Sequence, residues 1–580
     1  MQLLRMITTD SDRRPVGGRR RFAGGGAWWP LTVIAISGVA FAGRATAATA
    51  APGHPNILVI LADDLGYGDV QCYNPQRGRI PTPNIDRLAA QGMRFTDAHS
   101  SSGVCSPSRY TLLTGRYHWR TRLQSGIVKV FGEPTISPDR LTIAGLAKQH
   151  GYRTACIGKW HLGWNWPIAE SQRKLLQAAP QSGPNDEAPL ASAEQRAAWR
   201  DIFSQAIGGG PTSCGFDTYF GTDVPNWPPY CLIENDRTAG VPTEFLPRAK
   251  LQNNLASTQG PALSGWRLEG ILPALAERAA GFLADAAAQP APFLLYLPLT
   301  APHTPLAVNA PWHKRSGLNT YADFLMETDA MVGRVLDALE RSGAADRTLV
   351  IFTSDNGFAP YVGAGELEQM GHFPSGPLRG YKGDAWEGGH RVPFIVRWPG
   401  VVKPGAECSR LIHQADLMRT MADILGATLP DSAGEDSFSL LPLLQGGSWP
   451  VREHAISCAM RGQPALRHGH WKLVAEATGT GGPPVWMAGV PDRGGPITPS
   501  TPVLLYYLAD DIGETKNLAA AEPARVAAMQ ALLEQLIVAG RSTPGAPQKN
   551  DIEVIRYPRA ATAPPGKKSG ADRKAGASEG

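Results

Sequence analysis

The segment Cys105-Ser106-Pro107-Ser108-Arg109 concentrates more chemistry than any other in the chain. Pro107 fits the first turn of a helix, where its missing N–H is not needed, and Arg109, Leu112 and Leu113 continue a helical pattern. Cys105 then stands at a helix N-terminus, where unpaired amides and the macrodipole favour an anion. Such a place suits a low-pKa nucleophilic thiol or an oxyanion site. Four further polar groups lie far from it in sequence: Asp63 with Asp64, Lys159 with His161, His303, and Asp355 with Asn356. Taken singly, a histidine is more often a core or surface residue, and Asp-Asn-Gly is more often a plain turn.

What these groups share is the run before them. Each follows a short apolar stretch that reads as a strand: Ile57 to Leu61, Thr154 to Ile157, Phe293 to Leu297 and Leu349 to Thr353, with a fifth strand at Phe394 to Arg397. Amphipathic stretches lie between them. From Tyr321 to Ser342, Phe324, Leu325, Met331, Val332, Val335, Leu336 and Leu339 recur at helical spacing. The alternation predicts an α/β fold with a large, mostly parallel or mixed sheet flanked by helices. Ligands of such sheets bind beyond the carboxyl ends of the strands. The four polar groups are therefore expected to converge on one edge of one sheet.

The expected catalytic domain covers residues 52–448, within which Glu170 to Gly210 read as a polar insertion without catalytic features. Residues 449–542 predict a smaller C-terminal α+β domain. Strand-like runs at Ala465 to Val474 and Pro502 to Leu508 there precede a helix from Pro523 to Val538, giving an antiparallel sheet with a packed helix. Residues 543–580 are rich in Pro, Gly, Ala and Lys and predict a disordered tail.

The formal net charge of +5 raises the question of a nucleic-acid or membrane partner. Residues 1–50 hold seven arginines against Asp10 and Asp12, which accounts for all of it. No electrostatic case for nucleic-acid binding remains. The same segment reads as an export signal: a basic region to Arg21, an apolar stretch from Ala27 to Ala42 that is short for a membrane span, and small-residue sites at Ala45-Thr46-Ala47 and Ala48-Thr49-Ala50. Arg19-Arg20-Arg21-Phe22 has the arrangement of a twin-arginine signal. A periplasmic or extracellular protein without a membrane span in the mature chain is expected. The seven cysteines lack metal-ligand spacing; their odd number leaves at least one unpaired, and Cys214 with Cys231 is a candidate bridge.

Cys105 to Arg116 resembles the signature of the type I, formylglycine-dependent sulfatases, Cys-x-Pro-Ser-Arg-x-x-x-Leu-Thr-Gly-Arg, at all eight fixed positions. Other segments resemble further motifs of that family: Asp63-Asp64-Leu65-Gly66-Tyr67-Gly68, Gly158-Lys159-Trp160-His161-Leu162-Gly163, Ala301-Pro302-His303-Thr304-Pro305, Ser354-Asp355-Asn356-Gly357, Leu378-Arg379-Gly380-Tyr381-Lys382-Gly383 and Glu387-Gly388-Gly389-His390-Arg391-Val392-Pro393. Trp471-Lys472-Leu473, Leu505 to Leu508 and Asn517-Leu518 are similar to its C-terminal part, so the likeness covers residues 54–540.

The resemblance implies an alkaline-phosphatase-like fold and hydrolysis of sulfate esters, of a sulfated carbohydrate or an aryl sulfate. It implies that a formylglycine-generating enzyme oxidises Cys105. It also implies that Asp63, Asp64, Asp355 and Asn356 hold calcium, or magnesium, beside residue 105. Three carboxylates and an amide oxygen form a hard donor set that suits those ions better than zinc. Lys159, Lys382 and Arg109 would neutralise the ester oxygens while a hydroxyl of the formylglycine hydrate attacks sulfur. His303, with Lys382, would protonate the leaving oxygen, and His161 would deprotonate the second hydroxyl so that sulfate is eliminated.

The family often has a further sulfate ligand between the His161 and His303 segments, for which Gly221 to Tyr230 holds the candidates; that stretch reads equally as a rigid proline-rich loop. His372 would line the pocket or brace its loop, and His390 and His413 read as structural. Three competing functions follow. They are a phosphonate monoester or phosphodiester hydrolase of the same fold, a catalytically silent binding protein on this scaffold, and a simple hydrolase using a Cys105 thiolate with His161.

Overall fold

The computed structural model describes residues 53–176, 190–252, 256–477 and 502–558, so the segment read as an export signal lies outside the described residues. The five expected strands form, extended by at most two residues at an end. They belong to a ten-stranded sheet: β1 (Asn56–Ala62), β2 (Met93–Phe95), β3 (Arg153–Lys159), β4 (Thr218–Thr222), β5 (Ile233–Glu234), β6 (Arg237–Thr238), β7 (Phe293–Pro298), β8 (Thr348–Ser354), β9 (Phe394–Arg397) and β10 (Ala406–Cys408). Their order across the sheet is β10-β2-β9-β8-β1-β7-β3-β4-β5-β6. The central five, β8, β1, β7, β3 and β4, are parallel, and β9 runs against β8. Ile57 of β1 lies opposite Leu294 on one side and Leu349 on the other. All seven β1 residues are buried, which is why the strand is apolar throughout from Ile57 to Ala62 and does not alternate.

Successive residues of the central strands feed two cores, because side chains leave a strand on alternate faces. Ile57, Val59, Leu294, Tyr296, Leu349 and Ile351 face the layer that includes helix α1 (Cys105–Thr114), which contributes Tyr110, Leu112 and Leu113. Leu58, Ile60, Leu295, Leu297, Val350 and Phe352 face α2 (Ile271–Ala287) and α3 (Thr320–Arg341) through Leu275, Leu283, Val335 and Leu339. The side chain of Asn319 caps α3 by accepting from Ala322 N at 3.1 Å.

A second, antiparallel sheet follows, in the order β11 (His454–Cys458), β12 (Pro464–His468), β13 (Trp471–Val474) and β14 (Leu504–Tyr507). Helix α4 (Pro523–Ala539) covers it, setting Met529, Leu533, Leu536 and Ile537 against Leu466, Leu473 and Leu505. All seven cysteines are free, so the candidate bridge between Cys214 and Cys231 is not formed.

The expectation of a disordered tail from Thr543 is corrected for residues 543–558, while 559–580 lie outside the described residues. Asn550 Oδ1 accepts from Arg120 Nη1 at 3.1 Å, Asp551 pairs with Arg116 at 3.0 Å, and Gln124 Nε2 donates to Glu553 O at 2.8 Å. Composition hid this because the driving groups lie elsewhere: Arg116 and Arg120 are almost wholly buried and need acceptors. Deleting the chain from Gln548 onward removes Asp551 and Lys549 O from Arg116, Asn550 from Arg120 and Glu553 O from Gln124, though both arginines keep Glu435 or Asp436, and is expected to cost about 2 to 4 kcal/mol. Thermal unfolding checks this, and an unchanged midpoint would contradict it.

Candidate functional site

At the carboxyl end of β1 the backbone turns through Asp64 at φ 65°, a left-handed conformation uncommon for a non-glycine residue. Hydrogen bonds set the turn. Asp63 N donates to Ala301 O at 3.1 Å, Asp64 N to Asp355 Oδ1 at 3.1 Å, and Leu65 N to Ser354 Oγ at 3.0 Å. The ends of β1 and β8 and the segment after β7 are thereby tied together. Asp63, Asp64, Asp355 and Asn356 have no exposed surface.

Each carboxylate meets a cation. Lys159, the last residue of β3, places Nζ 2.7 Å from Asp63 Oδ2, and Lys382 Nζ lies 2.7 Å from Asp64 Oδ2. Arg109, one turn along α1 from Cys105, donates to Asp355 Oδ2 through Nε at 3.0 Å and Nη2 at 2.8 Å. Its Nη1 donates to Lys159 O at 3.3 Å, and Nη2 lies 3.4 Å from Asp63 Oδ1. His303 Nε2 stands 3.6 Å from Asp64 Oδ2. Burial raises the carboxyl pKa of Asp63, but Lys159, His303, Arg109 and Lys382 outweigh it and hold the group well below the usual range. Asp355 moves the other way: burial and the neighbouring Asp63 outweigh Arg109 and Lys159 and push it up.

Cys105 opens α1 with its side chain buried and Sγ 3.7 Å from Asp63 Oδ1. Burial pushes its thiol up to about 12, against the pull of Lys159 and Lys382. The low-pKa thiolate is thus corrected: at this helix N-terminus burial and two adjacent carboxylates outweigh the favourable charges. No hydrogen bond joins Cys105 Sγ to His161, whose Nε2 is committed elsewhere. His161, at φ 55°, donates its backbone N–H to Asp223 Oδ1 at 3.1 Å and Nε2–H to Val128 O at 3.2 Å. Its buried Nδ1 is left bare, with no hydrogen-bond partner. Burial, with Lys159 and Arg109, keeps the ring pKa well below its usual value.

The donors fit a hard cation. Asp63, Asp64, Cys105 and His303 bring one ligand atom each within 4.8 Å of one another. Asn356 Nδ2 donates to Asp64 Oδ1 at 2.8 Å and to Gly357 O at 2.9 Å, leaving its buried Oδ1 without a partner. An orphaned buried amide oxygen on a residue bonded to Asp64 is what a bound calcium or magnesium ion would satisfy. Asp355 lies outside that four-residue group, held between Arg109 and Asp64 N, while His303 joins it.

The structure therefore gathers all ten residues singled out in the sequence. It also places the candidate stretch between the His161 and His303 segments, and adds one neighbour, Tyr361, that the sequence did not single out. Gly221 to Tyr230 borders His161 twice, through Asp223, which burial pushes up to about 6, and through Trp227, whose ring meets His161 edge-on with centroids 5.5 Å apart. Tyr361 is half-buried beside Lys382, Asp64 and Cys105, and burial pushes its hydroxyl up. Lying in Ala359-Pro360-Tyr361 between two motifs, it carries no sequence signal. His372 braces its loop: Nε2 meets Asp69 Oδ1 at 2.8 Å and Nδ1 accepts from Arg79 N at 3.0 Å.

Residues 55–427 match the family model described as Sulfatase. The chain belongs to the sulfatase family. Like the family, it hydrolyses sulfate esters. This sulfatase is 31% identical over 491 residues to N-acetylgalactosamine-6-O-sulfatase of Bacteroides thetaiotaomicron, covering 83% of this chain and 93% of that protein. It is 32% identical over 475 residues to human arylsulfatase A, covering 80% and 83% respectively. A solved structure described by the metabolism of multiple glycosaminoglycans by Bacteroides thetaiotaomicron superposes with a TM-score of 0.69 at 28% identity, covering 83% of this chain and 99% of the other. Phosphonate monoester hydrolase of Agrobacterium radiobacter shares the fold at a TM-score of 0.50 and 20% identity, covering 83% and 95%. The fold is the alkaline-phosphatase-like one that the motifs implied.

In protein whose Cys105 has not been oxidised, the native thiol is expected to resist iodoacetamide at neutral pH and to react once the chain is denatured. Peptide mapping reads this, and stoichiometric labelling of native Cys105 would show that a thiolate is present after all.

Proposed function

We propose that this sulfatase removes sulfate from a sulfated saccharide, using Cys105 matured to formylglycine and calcium held by Asp63, Asp64, Asp355 and Asn356. The convergence of Lys159, Lys382 and Arg109 on three buried carboxylates around the Cys105 side chain carries this reading. Matured to formylglycine by a separate generating enzyme, residue 105 supplies a hydrated aldehyde as nucleophile. Calcium, or magnesium in its place, supplies positive charge for the ester oxygens.

The remaining work falls to ordinary side chains. Lys159 and Lys382 each spend one N–H on an aspartate and keep others for the sulfate oxygens. Arg109 fixes Asp355 and the carbonyl of Lys159, which orients both. His303 commits Nδ1–H to Thr304 O at 2.6 Å, so Nε2, beside Lys382, is the atom that must first take up a proton, against the burial that lowers its pKa, and then pass it to the leaving oxygen. His161 commits Nε2–H to Val128, so its bare Nδ1 is the proton acceptor for residue 105.

The saccharide assignment draws support from the N-acetylgalactosamine-6-O-sulfatase relative and from the neighbour described by glycosaminoglycan metabolism. The basic, apolar and small-residue order of residues 1–50 supports export to the periplasm or beyond, and no helix among the described residues is long and apolar enough to cross a membrane. The fold shared with phosphonate monoester hydrolase favours one second reading, hydrolysis of phosphonate or phosphate esters. Matched sulfate and phosphate esters of one aryl alcohol decide between them, with faster phosphodiester cleavage overturning our reading.

Cys105→Ala is expected to abolish sulfate release. His303→Ala is expected to lower kcat about 10² to 10⁴-fold on a sugar sulfate, and far less on an aryl sulfate whose alcohol leaves without a proton. Equal losses on both substrates would remove His303 from the role of acid.

A further inference from the structure

Behind the loop that carries Lys382 lies a second buried cluster, in which His99, Glu387 and His390 bring ligand atoms within 4.8 Å of one another. The place of a central cation is filled by an ammonium. Lys472 of β13 sets Nζ 3.0 Å from Glu387 Oε1, 2.8 Å from Glu514 Oε1 and 3.3 Å from His390 Nε2. Arg467 of β12 lies 3.2 Å from Glu387 Oε2 and 3.1 Å from Asp97 Oδ2, and Arg391 lies 3.1 Å from the same Glu387 oxygen. Three carboxylates thus face three permanent cations, with Lys472, Glu387 and Glu514 wholly buried.

Such a network is costly to bury compared with an apolar contact, and its best-attested use is to fix one arrangement. What it fixes here is a loop. Glu514 Oε2 accepts from Glu387 N at 2.7 Å, and Glu514 O accepts from Arg379 Nη1 at 2.8 Å. Lys382 lies between those two anchors. The loop in turn grips the residues after Asn356: Gly357 N donates to Gly389 O at 2.9 Å, and Lys382 N to Phe358 O at 2.9 Å. A Cβ on Gly357 would meet Gly388 O at 1.9 Å, so the two segments touch backbone to backbone. The small sheet also reaches the other side of the site, where Cys458 N donates to Ser101 O at 2.9 Å, Gly103 N to Cys458 O at 2.9 Å, and Met460 N to Gly383 O at 2.8 Å.

We propose that Lys472 is a positioning residue. With Glu387 and Glu514 it fixes the 379–390 loop so that Lys382 Nζ and Asn356 Nδ2 are held against Asp64, which makes the C-terminal sheet part of the active-site machinery. The inference rests on the reading of Lys382 and Asn356 as sulfate-binding and cation-binding residues.

Two variants test it, Glu514→Gln and the charge-balanced double Lys472→Met/Glu514→Gln, with Lys382→Ala as the reference for the site reading. In Glu514→Gln the amide keeps the shape but turns an NH₂ toward Lys472 or Glu387 N, each of which needs an acceptor. The expected result is folded protein with kcat on an aryl sulfate about tenfold to a hundredfold lower and KM little changed. The calcium concentration that half-saturates the thermal-midpoint shift should rise about tenfold, and amide exchange should quicken in 379–391 and 355–358. Parent-like kcat, calcium dependence and exchange in folded Glu514→Gln protein would overturn the proposal, and that variant alone decides if the double one does not fold. Full activity in Lys382→Ala would instead overturn the site reading, leaving calcium dependence and exchange to judge the positioning role.

Discussion

Three carboxylates buried side by side at the ends of two neighbouring strands are the constraint on which the rest of this molecule depends. Removing such groups from water costs several kcal/mol each unless partners repay it. Asp63, Asp64 and Asp355 each obtain one buried or nearly buried cation, from β3, from the 379–390 loop and from α1 respectively. The three cations come from three separate stretches of chain. The requirement to pair them therefore dictates how α1 docks on the sheet and where the loop closes. It also explains why α1 is buried along its whole length, polar residues included.

The same burial decides what residue 105 can do. A helix N-terminus contributes at most about 2 kcal/mol to an anion, and here it competes with desolvation and with Asp63 and Asp355 nearby. Burial and these carboxylates raise the thiol pKa and so favour a neutral group at this position. A nucleophile that is neutral until it reacts fits such a place. A thiolate does not.

Much of this was legible in the sequence, and the limits have physical causes. The central strands and α3 are periodic, and periodicity is local. The clusters at Asp63, His161, His303 and Asp355 were placed by the rule that ligands gather beyond parallel strands. Lys382 follows no strand and was found only through its motif. Pairings across long separations left no trace: Arg116 and Asp551 lie 435 positions apart, and their bond converts a stretch of tail-like composition into an ordered segment. Tyr361 was invisible for the same reason, and although Asp223 lay in a candidate stretch and Lys472 in a motif, what each touches left no trace in the sequence.

The formal charges of the site sharpen its chemistry. Lys159, Lys382 and Arg109 balance Asp63, Asp64 and Asp355, and both histidines are driven toward neutrality by burial. Without a further ion the pocket is close to neutral and offers an anionic ester little net attraction. A divalent cation held by Asp63, Asp64 and Asn356 would supply the positive charge that the pocket lacks for a sulfate ester. The protein side chains are thus arranged to hold charge in place and not to supply an excess of it.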